Sequence, residues 1–217
     1  MMKTKILLPA LSLLLLCTAG CDLNRIRGNG TIKTETRPVT AFTQIDAGGF
    51  YELEWHPGPP SLSLTTDENL LSHIRTSMEG SQLKIDMDGP IAPSEGIKIV
   101  VTSPSLNTAE LSGAVEFTAK PLSGAKFTIE TSGAAKITLS GKVGRLLANL
   151  TGASKLEAAD LPADDVELSV TGAGKADVTA ANSLRAAITG AGKVTYGGNP
   201  KSVEKKITGA GKIEPRE

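Results

Sequence analysis

The residues in this chain that could do chemistry come in a repeated phrase. TGAGK stands at 171–175, again at 189–193 and once more at 208–212, and looser forms (SGAVE, SGAAK, TGASK) precede it. Gly and Lys at this density suggest a phosphate-binding loop. Such a loop needs a glycine five places before its Gly-Lys and a helix behind it. The residues five before Gly174, Gly192 and Gly211 are Ser169, Ala187 and Lys206, and each phrase opens an alternating stretch with no helical signal. The lysines themselves, Lys136, Lys155, Lys175, Lys193 and Lys212, recur at a spacing that would stack them on one outer face about 4.8 Å apart, a candidate stripe for an anionic polymer. Like charges that close repel by roughly 1 kcal/mol per pair even in water. Two residues on stand Thr138, Glu157, Asp177, Thr195 and Glu214, so acids beside three of the five lysines point to a solvated face that neutralises itself.

Other groups offer less. His56 sits in a WHPG turn and His73 in LLSHIR, and no nucleophile elbow is present. Asp164 and Asp165 in LPADD read as a turn rather than a Ca²⁺ site. Phe50, Tyr51 and Trp55 in FYELEW alternate, which places two rings in a core and leaves one exposed, instead of forming a sugar platform. The expectation is no catalytic residue, no metal and no cofactor.

What positions these groups is an internal repeat. The first glycine of each phrase is Gly113, Gly133, Gly152, Gly172, Gly190 and Gly209, at steps of 20, 19, 20, 18 and 19 residues. A period of about 19 suits one coil of a β-solenoid and is too short for helix pairs. Columns two before, four after and six before each glycine are largely apolar, and polar residues lie between them, which is the period-two pattern of strands. Alanine follows the glycine in all six coils. A tight bend needs small side chains and a residue with φ > 0, so the six glycines mark structural corners. The segments KPLSGAK, GKVG, LPADD, AANS and GGNPKS form a second corner of variable length. The fold expected is all-β: a right-handed parallel β-solenoid over residues 106–217, preceded by an irregular β-rich N-terminal layer over 30–105, the two making one domain. Pro215, Arg216 and Glu217 would blunt the last edge.

The start of the chain reads differently. Lys3 and Lys5 precede the apolar run ILLPALSLLLLC, and small residues lead to Cys21. This is a secretory pattern, and with Cys directly after Ala19-Gly20 it resembles a bacterial lipoprotein signal. That resemblance implies a signal peptide over 1–20, lipidation at Cys21 and a linker over 21–29; Asp22 hints at retention at the inner membrane. Cys17 would be discarded and no thiol would remain for a disulfide. Removing Lys3 and Lys5 leaves 21 basic against 23 acidic side chains, a charge of −2, which gives no basic face for nucleic acid. Aromatics are 3% of the chain, so the core must come from Val, Ile, Leu and Ala.

The stretches RPVTAFTQIDAGGFYELEW, LTTDENLLSHIRTSMEGSQLKI and IKIVVTSPSLNTAELSGAVEF, followed by TGAGK coils, resemble the bacterial envelope domain called the auto-transporter adhesin, head GIN type. The resemblance covers nearly all of the chain after Cys21, and DENLL, VTSPSL and the SGA/TGAGK phrases are its most specific parts. It implies a secreted or lipid-anchored β-solenoid with no catalytic residues to carry over. The function expected is a lipid-anchored, non-catalytic protein of the bacterial cell envelope, facing the periplasm or the cell surface, that adheres, scaffolds or binds through the solenoid face. Its partners would be the membrane, through the lipid, and an envelope glycan, an anionic lipid or another envelope protein. A β-helix enzyme acting on polysaccharide and a self-assembling solenoid are the alternatives; the first would gather Asp164, Asp165, Asp177 and a basic residue in one cleft.

Overall fold

The computed structural model describes residues 25–216, so Cys21, Asp22 and the signal segment lie outside the described residues. The chain forms β1 (Ile26–Arg27), β2 (Ile32–Arg37), β3 (Gln44–Gly49), β4 (Glu52–Pro57) and β5 (Ser61–Asp67), then a 3-10 helix over Glu68–His73. It continues through β6 (Ile74–Glu79), β7 (Gln82–Met87), β8 (Ile91–Ala92), β9 (Lys98–Ser103) and β10 (Thr108–Gly113). The repeated part supplies β11 (Glu116–Gly133), β12 (Lys136–Gly152), β13 (Lys155–Gly172), β14 (Lys175–Gly190), β15 (Lys193–Gly197), β16 (Ser202–Gly209) and β17 (Lys212–Pro215).

These strands wind into a parallel β-solenoid. On one side of the glycine corner the ladder runs β7, β3, β10, β11, β12, β13, β14, β16. On the other it runs β9, β4, β11, β12, β13, β14, β15, β17. Ladder register shifts fall at the variable corner, between Ala119 and Leu122 and between Ala158 and Pro162. The alternation does what the sequence requires: Phe117, Ile137, Leu156, Ala176 and Val194 stack inside on one arm, and Phe127, Leu146, Val166 and Leu184 on the other.

The TGAG phrase uses its two glycines for different reasons. At the first, φ is positive in every coil, from 91° at Gly113 to 129° at Gly133. The peptide carbonyl of each such glycine up to Gly190 accepts a hydrogen bond from the alanine N–H of the next coil, as from Ala153 to Gly133 at 2.8 Å. A Cβ on Gly152 would stand 2.3 Å from that carbonyl oxygen. The second glycine is a matter of packing: a Cβ on Gly192 would meet the Val170 side chain at 2.8 Å, and one on Gly211 would meet Ile188 at 2.5 Å. Ser154 holds this place in an earlier coil, buried, and accepts a hydrogen bond from the Thr131 hydroxyl at 2.9 Å.

The N-terminal part holds more solenoid than its sequence period suggested. Gly49 pairs with Gly113, and Glu52 with Glu116, so β3 and β4 form a full coil with its own corner at Gly49, φ 141°. The layer below it, β7 and β9, comes from later in the chain, and its corner is expanded to residues 88–97. Antiparallel strands close that end: β6 lies on β7, β5 on β9 and β2 on β5. The DENLL stretch fastens the entering chain there. The buried Asp67 carboxylate accepts hydrogen bonds from Gly30 N–H at 2.7 Å and from Ser94 N–H and hydroxyl at 2.8 and 2.7 Å. Burial opposes its ionisation, but these donors outweigh it and hold its pKa below the usual carboxylate value. Asn69 accepts from Asn29 N–H at 3.0 Å and donates to the Arg27 carbonyl at 2.8 Å.

The far end carries a second device besides Pro215, which lies in the terminal strand β17. Four residues before each corner glycine stand Ala109, Ile129, Ala148, Leu168 and Ala186, all buried, and then Lys205. A charged residue thus occupies the core column of the last coil, where an inward charge blocks another strand from stacking. Its ammonium lies 4.8 Å from the centre of the Tyr196 ring and donates to the Ile213 carbonyl at 3.3 Å. Arg216 folds back instead of capping the edge: Nε donates to Asp177 at 3.0 Å and Nη2 to the Val178 carbonyl at 3.1 Å.

Candidate functional site

The first outward position after the corner forms one continuous row across the solenoid. Register places Thr65, Lys98, Glu52, Glu116, Lys136, Lys155, Lys175, Lys193 and Lys212 side by side. All five lysines of the sequence pattern therefore lie in one column, and a patch of acids adjoins them at its N-terminal end.

The column is paired along most of its length. Lys136 bonds Glu116 of the preceding coil at 2.5 Å, and that contact raises its pKa. Lys155 bonds Glu157, whose pKa falls in consequence. Glu214 lies between Lys193, at 2.7 Å, and Lys212, and these two lysines hold its pKa down at about 2. The acid two residues after Lys175, Asp177, is taken by Arg216. The pairing differs in detail from the sequence expectation: Lys136 reaches across to a neighbouring coil, because Thr138 offers no charge, and Lys193 shares the acid of the coil above.

The groups considered for catalysis do not converge. Asp165 accepts from the Ser183 hydroxyl at 2.5 Å and faces Arg145 at 3.9 Å, whereas Asp177 sits on the other side of the coil with Arg216. His56 lies 3.7 Å from Glu54 and 3.1 Å from the Lys120 carbonyl, and His73 lies 3.3 Å from the Asp88 carbonyl. Among the described residues no group of three or more His, Cys, Asp or Glu is arranged to hold a metal. No helix among them is long and apolar enough to cross a membrane. Tyr51 and Trp55 are core residues, the Trp55 indole donating to Ser103 at 2.9 Å, so only Phe50 of that cluster faces out.

A cleft that sequence reasoning did not find opens at the N-terminal end of the charged row. It encloses about 430 Å³ between the expanded corner (Glu95, Gly96, Ile97), the β2–β5 pair (Ile32, Thr65) and the corner after Gly49 (Phe50). Phe50 alone carried a signal: it stands in the column that holds Ala114, Ala134, Ala153, Ala173, Ala191 and Ala210 in the other coils. It could be seen only once Gly49 was known to be a corner.

Residues 41–200 match the family described as "Putative auto-transporter adhesin, head GIN domain". The fold is shared with a solved structure described as a putative adhesin from Bacteroides fragilis (TM-score 0.74, 22% identity, covering 88% of this chain and 100% of that one). It is shared also with a putative adhesin from Parabacteroides merdae (TM-score 0.58, 20% identity, 89% and 99% covered). A third, from Parabacteroides distasonis, is described as a putative lipid binding protein (TM-score 0.54, 23% identity, 89% and 100% covered). No curated protein matches the chain.

Proposed function

The chain belongs to the head GIN domain family of adhesin-like proteins, and from that premise we propose that it is a lipid-anchored, non-catalytic binding module of the bacterial cell envelope. The family and two of the structural neighbours are described as putative adhesins and the third as a putative lipid binding protein, none as an enzyme. The observation that carries the reading is the rod itself. Eight layers in one continuous parallel ladder span about 34 Å at 4.8 Å per step. The chain enters at one end, where Asp67 and Asn69 clasp residues 27–31, and finishes at the other. Lipid at Cys21 would put the clasped end against the membrane and carry the remaining coils outward.

The lysine column supports a solvating role over a polyanion-binding one, because its charges are locally matched. A protein of the envelope is then the favoured partner, ahead of an anionic lipid or a glycan. The test is capture of envelope components by the chain from residue 22, beside a variant with Lys136, Lys155, Lys175, Lys193 and Lys212 all changed to Gln. Equal recovery of a protein partner is expected; loss of capture in the variant would return the column to the centre of binding. Labelled palmitate should enter the wild-type chain and not Cys21→Ser, and equal labelling of the two would end the anchor proposal.

A further inference from the structure

We infer that the cleft between Phe50, Ile32 and the 95–97 corner is a docking site for a basic-apolar peptide segment of a partner protein; this rests on the binding-module reading above and gives it an address. Four observations point the same way.

The first is the break in the corner column. Six corners carry alanine after the glycine, and the seventh carries Phe50, 41% exposed. The corner does not need that ring for its own folding, since alanine serves at every other bend. The second is rigidity. The Phe50 N–H donates to the Met87 sulfur at 3.3 Å, the preceding Gly49 is fixed by the ladder to Gly113, and the opposite wall is tied by the Thr66 hydroxyl to the Gly96 carbonyl at 3.0 Å. A preformed site loses little conformational freedom when it binds.

The third is a second large apolar side chain on the opposite wall: Ile32, 39% exposed, in the same cleft. Its volume of about 430 Å³ lies in the range of small-ligand pockets and admits one or two side chains. The fourth is charge. Three carboxylates line the cleft, Glu52, Glu95 and Glu116, against one cation, Lys98. Lys98 is already committed to Glu54 at 3.0 Å, and Glu116 to Lys136. Glu52 and Glu95 have no ion-pair partner within 4 Å among the described residues. An apolar floor beside Glu95, and beside a Glu52 that Lys98 and Lys136 reach only at longer range, fits a side chain such as leucine next to a lysine or arginine, and repels the head of a fatty acid or an anionic lipid.

Among the described residues the buried core runs from Phe42 to Ile213, so the chain from residue 22 carries all of it and is the protein to use. The probe is a capped hexapeptide of alternating leucine and lysine, compared with its leucine–glutamate counterpart and with laurate, followed by amide NMR shifts and a fluorescence titration. The basic peptide should shift the amides of Phe50, Gly96 and Ala114, and the two acidic probes should not. Phe50→Ala, which places in this corner the residue the other six already use, should keep the melting temperature and lose tenfold or more in affinity. Glu95→Gln should lose about threefold and flatten the salt dependence. Absence of shifts up to millimolar peptide, shifts spread evenly over the rod, equal binding of either acidic probe, or unchanged affinity in Phe50→Ala would each overturn the assignment. If the cleft fails while the wild-type chain still captures an envelope protein, the binding-module reading survives and its address is elsewhere; if capture fails, that broader reading goes.

Discussion

Replacing Gly152 by alanine tests the corner column directly, because a matched control exists in the same molecule. Gly152 has φ 102°, and Gly96 has φ 101°. An alanine at either position meets the same unfavourable φ, which costs on the order of 1–3 kcal/mol. They differ in what the new methyl touches. At Gly96 nothing lies within 4 Å, whereas at Gly152 the Gly133 carbonyl oxygen is 2.3 Å away. That oxygen accepts the Ala153 N–H, so relief of the clash must open the ladder bond between two coils. A lost backbone bond and the carbonyl left without its partner add roughly 1–3 kcal/mol. Gly152→Ala should therefore melt below Gly96→Ala by about 3–9 °C, taking about 3 °C per kcal/mol for a domain of this size. Thermal melts followed by circular dichroism at 218 nm, on the wild type and both variants, read the difference. If the two variants melt together, the stacking of glycine on glycine contributes nothing, and positive φ alone explains the column.

Glu214→Gln should lower the melting temperature at pH 7 and leave it unchanged near pH 2. Lys193 and Lys212 hold the folded pKa down at about 2, so the stabilisation is complete above the unfolded value of 4.5 and is lost as pH falls toward 2. Asp67→Asn should speed amide exchange at Gly30 and Ser94 tenfold or more while the amides of β13 stay protected, since the clasp joins the entering chain to the end of the rod and not to its middle. Lys205→Val should convert the end of the last coil into an adhesive surface with Val203 and Ile207, already 39% and 43% exposed, and sedimentation velocity should show concentration-dependent association absent from the wild type.

The regular coils were legible because three constraints fall on the same residues. The bend needs Gly at 113, 133, 152, 172, 190 and 209, the ladder needs alternation on either side, and small corners leave little else to vary. Gly49 escaped because its coil carries Phe50 in place of alanine and is followed in sequence by a fifty-residue departure instead of a second coil. The layer made by β7 and β9 escaped for a topological reason. It stacks beneath a coil that precedes it in the chain, and no periodicity along a sequence records that order. Lys205 was within reach: the column four before each glycine reads Ala, Ile, Ala, Leu, Ala, Lys, and the parity already in hand put the last of them inside. The charge pairing was half legible. Acids two places after a lysine can be read from sequence, but whether a lysine turns to its own coil or to the next depends on the register, as Lys136 and Lys193 show. Of the cleft only Phe50 left a trace in the sequence, since its walls come from three segments that meet only in the fold.

The clasp at Asp67 and Asn69 has a mechanical consequence. On the proposal of a lipid anchor, tension between that anchor and a captured load would enter the molecule at residues 27–31 and leave through whatever the outer coils hold. Pulled that way, the coils separate one from the next like the pages of a book opened from its spine, so adjacent layers would be peeled apart instead of sheared together. The entry grip, with a buried carboxylate and an amide both engaged, is the joint that has to outlast the load. A tether cut back past residue 30 would shift that force onto the β2–β5 pair, which has neighbours on one side only.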